Sequence, residues 1–255
     1  MTQSPPRRAA VTGAASGIGR ALATLLANQG TSLSLGDVDR NTLEQLGSEL
    51  AADLVVPLDV ADPDAMSRFA ALTGPVDLLC LNAGVLGESM GPPWQATQAE
   101  WDEVLGVNLH GILNGLRSFL PLLVERAAPS AILITSSLAG ALTWPTGGAY
   151  AASKHAALAV AEQAALHLSG TQVSVTVLCP ALVRSAMSDE GRDPLEVAAE
   201  ALTAAAEGRF AVIDEEWRDA LCSRAESLAH GSPPTLPVPR MAAGSGPTTD
   251  TPASD

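Results

Sequence analysis

Short, almost uninterrupted apolar runs recur along the chain. They alternate with longer stretches in which apolar residues return every three or four positions. The runs are AAVTG, SLSLGD, LVVPLD, VDLLCLNAG, AILITSS and VSVTVLCP. A strand with one wet face alternates apolar and polar residues. A strand apolar at consecutive positions fits a parallel sheet covered on both faces. The stretches between the runs carry helix start and stop signals. Ile18, Leu22, Leu25 and Leu26 form a stripe at helical spacing that ends near Gly30, a residue type suited to the turn after a helix. Asp62 ahead of Pro63 reads as an N-cap followed by the first helical residue. Thr97 and Glu100 have capping-box spacing before a long helix through Leu109 and Leu116. A weaker strand, RFAVID, and a helix from about Glu216 to Ala229 follow. The alternation predicts an α/β fold, a Rossmann-type doubly wound parallel sheet of about seven strands flanked by helices.

The pattern stops near residue 230. From Gly231 to Asp255 the chain turns to Gly, Pro, Ser and Thr with little to bury. The expected organisation is one domain over 1–230 and a flexible tail over 231–255, with docking of its LPVPRM segment on a surface as the less favoured alternative.

Composition narrows the function classes. Hydrophobic residues make up 47% of the chain and aromatics only 3%, so Ala, Val, Leu and Ile must build the core. A net charge of −14 leaves no basic surface to neutralise phosphates, which argues against nucleic acid. Cys80, Cys179 and Cys222 lie far apart with no CxxC or metal-ligand spacing. They read as reduced thiols, and no metal is expected. The N-terminal arginines precede no apolar stretch of signal-peptide type, and no apolar run reaches the ~18 residues of a membrane span. A cytoplasmic protein with no membrane partner is the expectation.

Two constellations carry candidate chemistry. VTGAASGIGRAL sets Gly13, Gly17 and Gly19 between the first strand and first helix. Glycines allow close approach of a pyrophosphate, and backbone N–H groups at a helix N-terminus favour its charge. Asp37 ends the second strand, eighteen residues beyond Gly19. A carboxylate there can accept hydrogen bonds from ribose hydroxyls and repels a 2′-phosphate. No basic residue stands at Ala15, Ser16 or Val38, so NAD is expected and NADP is less favoured. The second constellation is GAYAASKHAAL. Tyr150 is the sole tyrosine and Lys154 the sole lysine, four residues apart.

With these pieces in order, the chain resembles the short-chain dehydrogenase/reductase family. The matching segments are TGAASGIG (12–19), Asp37, LDV (58–60), LNAG (81–84), VNLHG (107–111), ITSS (134–137), YAASK (150–154) and CPALVRS (179–185). The resemblance implies an NAD(P)-dependent oxidoreductase moving a hydride between nicotinamide and a secondary alcohol or ketone. Tyr150 would be the general acid/base. A free phenol titrates near ~10, and Lys154, one helical turn along, would favour its ionised form together with the charge of an oxidised nicotinamide. Lys154 would also hydrogen-bond the nicotinamide ribose. Ser137, thirteen residues before Tyr150, would steady the substrate oxygen, and Asn108 would complete the tetrad by shaping a helix kink that holds a water. The cofactor would rest on Gly13, Ser16, Gly17, Ile18 and Gly19. Asp59 and Val60 would touch adenine, Asn82, Ala83 and Gly84 would flank the adenosine ribose, and Pro180, Val183 and Ser185 would meet the nicotinamide end.

The chain departs from the family pattern at Leu81, Ala181 and Ser185, where asparagine, glycine and threonine are common. Trp144 and Leu142 in one loop, and Met187 in the lid after Cys179, point to an apolar pocket for a hydrophobic or aromatic alcohol or ketone, with simple loop packing the equal alternative for Trp144. His155 should face away from Tyr150, since adjacent helical residues diverge by about 100°. Asp214, Glu215 and Glu216 read as a solvated turn and helix start. The alanine-rich helix from Tyr150 implies, through the family, a homodimer or homotetramer. Two other readings remain open, an NADPH-dependent ketoreductase and a catalytically silent NAD-sensing protein.

Overall fold

Seven parallel strands lie side by side in the order β3-β2-β1-β4-β5-β6-β7. They are β1 (Arg8–Thr12), β2 (Ser32–Asp37), β3 (Leu54–Pro57), β4 (Leu78–Leu81), β5 (Ser130–Thr135), β6 (Val173–Cys179) and β7 (Ala211–Ile213). The computed structural model describes residues 5–88, 91–185 and 188–240; Met187 and the tail from residue 241 lie outside them. Parallel neighbours need crossovers, which the helices supply. These are α1 (Gly17–Asn28), α2 (Arg40–Leu50), α3 (Pro63–Thr73), α4 (Gln98–Leu105), α5 (Gly111–Arg126), α6 (Leu138–Ala141), α7 (Gly148–His167), α8 (Pro194–Ala206) and α9 (Arg218–Ala229). No helix among the described residues is long and apolar enough to cross a membrane.

Consecutive strand residues point to opposite faces, and the core divides accordingly. Ala9, Val11 and Leu133 join Leu22 and Leu26 of α1 and Ala201 of α8 on one face. Ala10, Ile132 and Ile134 join Phe69 of α3, Phe119 of α5 and Ala157 of α7 on the other. This two-sided cover explains why the strands read as continuous apolar runs. Strand order reverses at β1, with β2 on one side and β4 on the other. Such a switch point leaves a crevice at the carboxyl ends of the strands.

The local signals hold where they were expected. Gly30 has φ +78°, and Asp62 accepts hydrogen bonds from the N–H groups of Asp64 and Ala65. Thr97 accepts from the Glu100 N–H at 3.2 Å. The long helix after it forms through Leu109 and Leu116, with the bend implied at Asn108. A five-residue π turn, Gly106–His110, separates α4 from α5. An inserted residue of this kind bends the axis, and such bulges are frequent at functional sites.

Asp77 fastens the N-terminal end of the sheet. It accepts from the N–H groups of Arg7 and Arg8 at 2.8 and 3.0 Å and from the Arg126 guanidinium at 2.7 Å. Partial burial works against its ionisation. The Arg126 hydrogen bond, the backbone donors and the Arg126 charge outweigh it, so its pKa lies below the ordinary carboxylate value. Asp77→Asn should therefore cost about 1–3 kcal/mol at pH 7. A carboxylate with a depressed folded pKa stabilises above its unfolded pKa and loses that contribution as pH falls through the folded one. Urea midpoints of both proteins should differ at pH 7 and converge below about pH 4. Equal midpoints at pH 7 would remove Asp77 as an anchor.

Candidate active site

The crevice is entered over the turn between β1 and α1. Gly13 and Gly17 have φ values of +66° and +50°, which side-chain-bearing residues rarely adopt. A Cβ at Gly13 would stand 2.7 Å from the Ala83 Cα, and one at Gly17 would stand 2.9 Å from the Ser185 Cβ. A Cβ at Gly19 would overlap the Gly13 carbonyl. The glycines are thus needed for chain packing around the turn as well as for close approach of a ligand. Ser16 holds the N-cap position of α1 without a side-chain cap hydrogen bond. Ser16, Gly17 and Ile18, at the N-terminus of α1, line the cavity. This arrangement fits a dinucleotide pyrophosphate.

Asn82, Ala83 and Gly84 follow β4 and form the facing wall. Thr12, which the sequence did not single out, fixes them. Its hydroxyl accepts from the Asn82 and Ala83 N–H groups at 3.0 and 3.3 Å, while Asn82 Nδ2 donates to the Thr12 and Gly13 carbonyls. Asp37, Asp59 and Val60 lie apart from this cavity. Asp37 ends β2 and accepts from the Ala15 and Asp39 N–H groups, both at 2.9 Å. Asp59 accepts from the Ala61 N–H at 2.9 Å, and Val60 is buried against Gly111. Gly19 supports the turn from beneath.

The second half of the cavity is built where β5 and β6 end. Ser137 follows β5 and caps α6, accepting from the Ala139 N–H at 3.1 Å. Tyr150 and Lys154 lie one turn apart on α7, with Lys154 Nζ 5.7 Å from the centre of the tyrosine ring. Lys154 is buried and donates to the Thr135 carbonyl at 3.1 Å. Ser136 donates to the Lys154 carbonyl at 2.8 Å and so pins α7 against β5. Pro180, Val183 and Ser185 arrive from the end of β6 and complete the ring. His155 turns back onto the Ala151 carbonyl, outside the site.

Asn108 lies behind this wall rather than on it. Its Oδ1 accepts from the Val85 N–H at 2.8 Å, and its Nδ2 donates to the Val85 carbonyl and to Ser153 Oγ, both at 2.9 Å. Ser153 in turn donates to the Tyr150 carbonyl. The π turn therefore carries Asn108 inward to join the segment after β4 to α7.

Burial raises the Tyr150 pKa, and a hydrogen bond with Ser137 acts in the opposite direction without prevailing. The expected lowering combines Lys154 with the charge of an oxidised nicotinamide, and Lys154 without that charge does not offset the burial. Burial also pushes Lys154 down to about 8, against a smaller effect of Cys179. Removing both groups from water disfavours both charged forms. The positive charge of an oxidised nicotinamide is the remaining source of the expected lowering.

The cavity measures about 1070 Å³. Beyond Ser137 its lining combines apolar side chains, among them Leu86, Leu142, Trp144, Leu182 and Trp217, with Ser188 and the charged Arg192, Asp214 and Glu216. Trp144 meets Tyr150 edge-on, with ring centres 6.1 Å apart at 87°. Glu215 and Glu216 are exposed and open the helical turn before α9 as expected, whereas Asp214 is not a solvated side chain. It pairs with Arg192 of the lid, and with Glu216 it borders the cavity. The sequence missed Leu236 and Pro237, which also line it. The only available signal was the apolar character of LPVPRM.

Comparison with known proteins agrees with this geometry. The family model described as short chain dehydrogenase matches residues 7–196. The 1-deoxy-11-beta-hydroxypentalenate dehydrogenase of Streptomyces exfoliatus is 39% identical over 189 residues, covering 71% of this chain and 69% of the relative. The 2-dehydro-3-deoxy-L-rhamnonate dehydrogenase (NAD(+)) of a Sphingomonas species is 31% identical over 188 residues, covering 72% of this chain and 75% of the relative. A short-chain dehydrogenase/reductase from Burkholderia phymatum, solved in complex with NAD, superimposes with a TM-score of 0.86 at 29% identity. It covers 93% of this chain and 99% of its own. The chain belongs to the short-chain dehydrogenase/reductase family and is an NAD(P)-dependent oxidoreductase.

Proposed function

We propose that the protein uses NAD to interconvert an apolar secondary alcohol and its ketone. The observation that carries this reading is the meeting of Ser137, Tyr150 and Lys154 in one cavity that Leu86, Leu142, Trp144 and Leu182 also line. The nicotinamide, when bound, supplies the hydride acceptor or donor. Tyr150 takes the alcohol proton at its phenolic oxygen, or returns it in the reverse direction. Ser137 donates a hydrogen bond to the substrate oxygen and steadies the charge that develops there. Lys154, held by the Thr135 carbonyl, keeps a cation beside the phenol. Leu142 and Trp144 exclude water and take up the hydrocarbon. The hydroxypentalenate dehydrogenases, named for a hydroxylated substrate, are consistent relatives.

Asp37 supports NAD over NADP. Its carboxylate ends β2, tied to the Ala15 N–H of the glycine-rich turn, where a 2′-phosphate would meet like charge. NADH should bind at least about tenfold more tightly than NADPH, the ratio given by ~1.4 kcal/mol of repulsion. Both points can be measured together. NADH formation is followed across aliphatic, alicyclic and aromatic secondary alcohols, and dissociation constants of the two reduced cofactors are measured by fluorescence. Turnover confined to small hydrophilic polyols would overturn the substrate class. Tighter NADPH binding would overturn the cofactor assignment.

A further inference from the structure

One border of the cavity comes from beyond α9 and outside the family-model match, which ends at residue 196. The chain runs from Ser232 to Arg240 with prolines at 233, 234, 237 and 239. Proline fixes φ and lacks an N–H donor, so such a stretch lies extended with little need of backbone partners. Its ends are nevertheless fastened. The Ser232 N–H donates to the Ser227 carbonyl at 2.8 Å, and the Arg240 N–H donates to the Glu216 carbonyl at 2.7 Å. The Arg240 guanidinium also stands 4.0 Å from the Asp219 carboxylate.

Between these ties, Leu236 and Pro237 line the same cavity as Tyr150 and Trp144. Leu236 is 68% exposed, and its apolar surface borders the cavity. An isolated exposed leucine is ordinary. This one borders the substrate space and is held there from both sides. The Glu216 carbonyl that receives Arg240 belongs to the same turn as Trp217, another lining residue, and Asp214 of that turn pairs with the lid through Arg192. Segment, turn and lid therefore frame one mouth.

We infer that residues 232–240 form a fixed wall of the substrate cavity and that Leu236 sets specificity by covering the hydrocarbon part of the substrate. This inference rests on the reading of the protein as an oxidoreductase of apolar alcohols. Bringing substrate into the mouth removes the exposed leucine surface from water together with the substrate's own, which favours large apolar substrates over small ones. A pocket contact of one or a few methylenes is worth roughly tenfold or more in discrimination.

Two measurements on the full chain test it. The first is hydrogen exchange at the Arg240 amide, which its bond to Glu216 should slow at least about tenfold below the unprotected rate. The second compares kcat/KM for a bulky alicyclic alcohol and for 2-propanol in wild type, Leu236→Ala and Leu236→Trp. In Leu236→Ala the bulky-to-small ratio should fall about tenfold through KM, with the NADH dissociation constant unchanged. Leu236→Trp should shift the ratio again by narrowing the mouth. A protected Arg240 amide in a protein that turns over no apolar alcohol retires the substrate class and keeps the wall. An unprotected amide, or a ratio unmoved in both variants of an enzyme active on apolar alcohols, overturns the wall and leaves the substrate class standing.

Discussion

Tyr150→Phe should lower kcat/KM by on the order of 10³ while NADH affinity stays within about twofold, because the loss removes a proton-transfer group worth 10²–10⁴. Phenylalanine keeps the ring, its edge-on contact with Trp144 and its position at the start of α7. Only the phenolic oxygen, hydrogen-bonded with Ser137 and proposed to meet the substrate, disappears. The same residue offers a direct titration. Tyr150 is the sole tyrosine, so phenolate absorbance near 295 nm reports it without background from others. Without cofactor the transition should lie above a free phenol's ordinary value, since burial prevails over the Ser137 hydrogen bond. Adding NAD should move it down, because a cation beside the phenol favours phenolate. Retained turnover in the variant would end the proposed role of Tyr150. A titration unmoved by NAD would separate the phenol from the cofactor charge.

Lys154→Met should give a nearly inactive protein that is nevertheless more stable at pH 7. The ammonium is buried, and its pKa is pushed from 10.5 to about 8. Holding that charge costs the folded state on the order of 3 kcal/mol at pH values well below 8. Methionine retains the apolar stem but forfeits the hydrogen bond to the Thr135 carbonyl, worth ~1–2 kcal/mol. The variant should thus gain roughly 1–2 kcal/mol at pH 7, a rise of a few degrees in Tm. The sign follows from proton binding. Between about pH 8 and 10.5 the unfolded chain holds a proton that folded Lys154 has released, so wild-type stability climbs relative to the variant. The advantage of Lys154→Met should shrink over that window, pass through zero near about pH 9 and reverse towards its top. Calorimetry from pH 6 to 10 reads the difference, and a constant gap would contradict a buried, titrating ammonium. Activity should fall about 10²-fold or more, as the cation beside Tyr150 is lost.

The two substitutions divide function from stability at adjacent turns of one helix. Tyr150 costs little to keep because its neutral form suits a buried site. Lys154 is kept against a desolvation cost, in a chain whose other basic side chains are arginines apart from four histidines. An arginine would be a permanent cation with a wider head. The space allows little of that, since Lys154 Nζ lies 3.1 Å from where a Cβ at Gly84 would be.

Backbone periodicity made much of this protein legible in advance. A period of two or of 3.6 is a local property of the chain, so the seven strands, most helices and the caps at Asp62 and Thr97 could be read from neighbouring residues. The same is true of Tyr150 and Lys154, which share a helical face because they are four apart. Tertiary packing decided what spans elements. It decided the form of the bend at Asn108, a π turn in which the Asn108 amide is satisfied by Val85 and Ser153 from elsewhere in the chain. It drew Asp214 out of a solvated turn by bringing Arg192 against it. It also carried Leu236, from a stretch with almost no pattern, to the mouth of the cavity through the hydrogen bond between Arg240 and Glu216. Those contacts depend on which surfaces meet once the sheet has closed its two cores, and no local spacing encodes that.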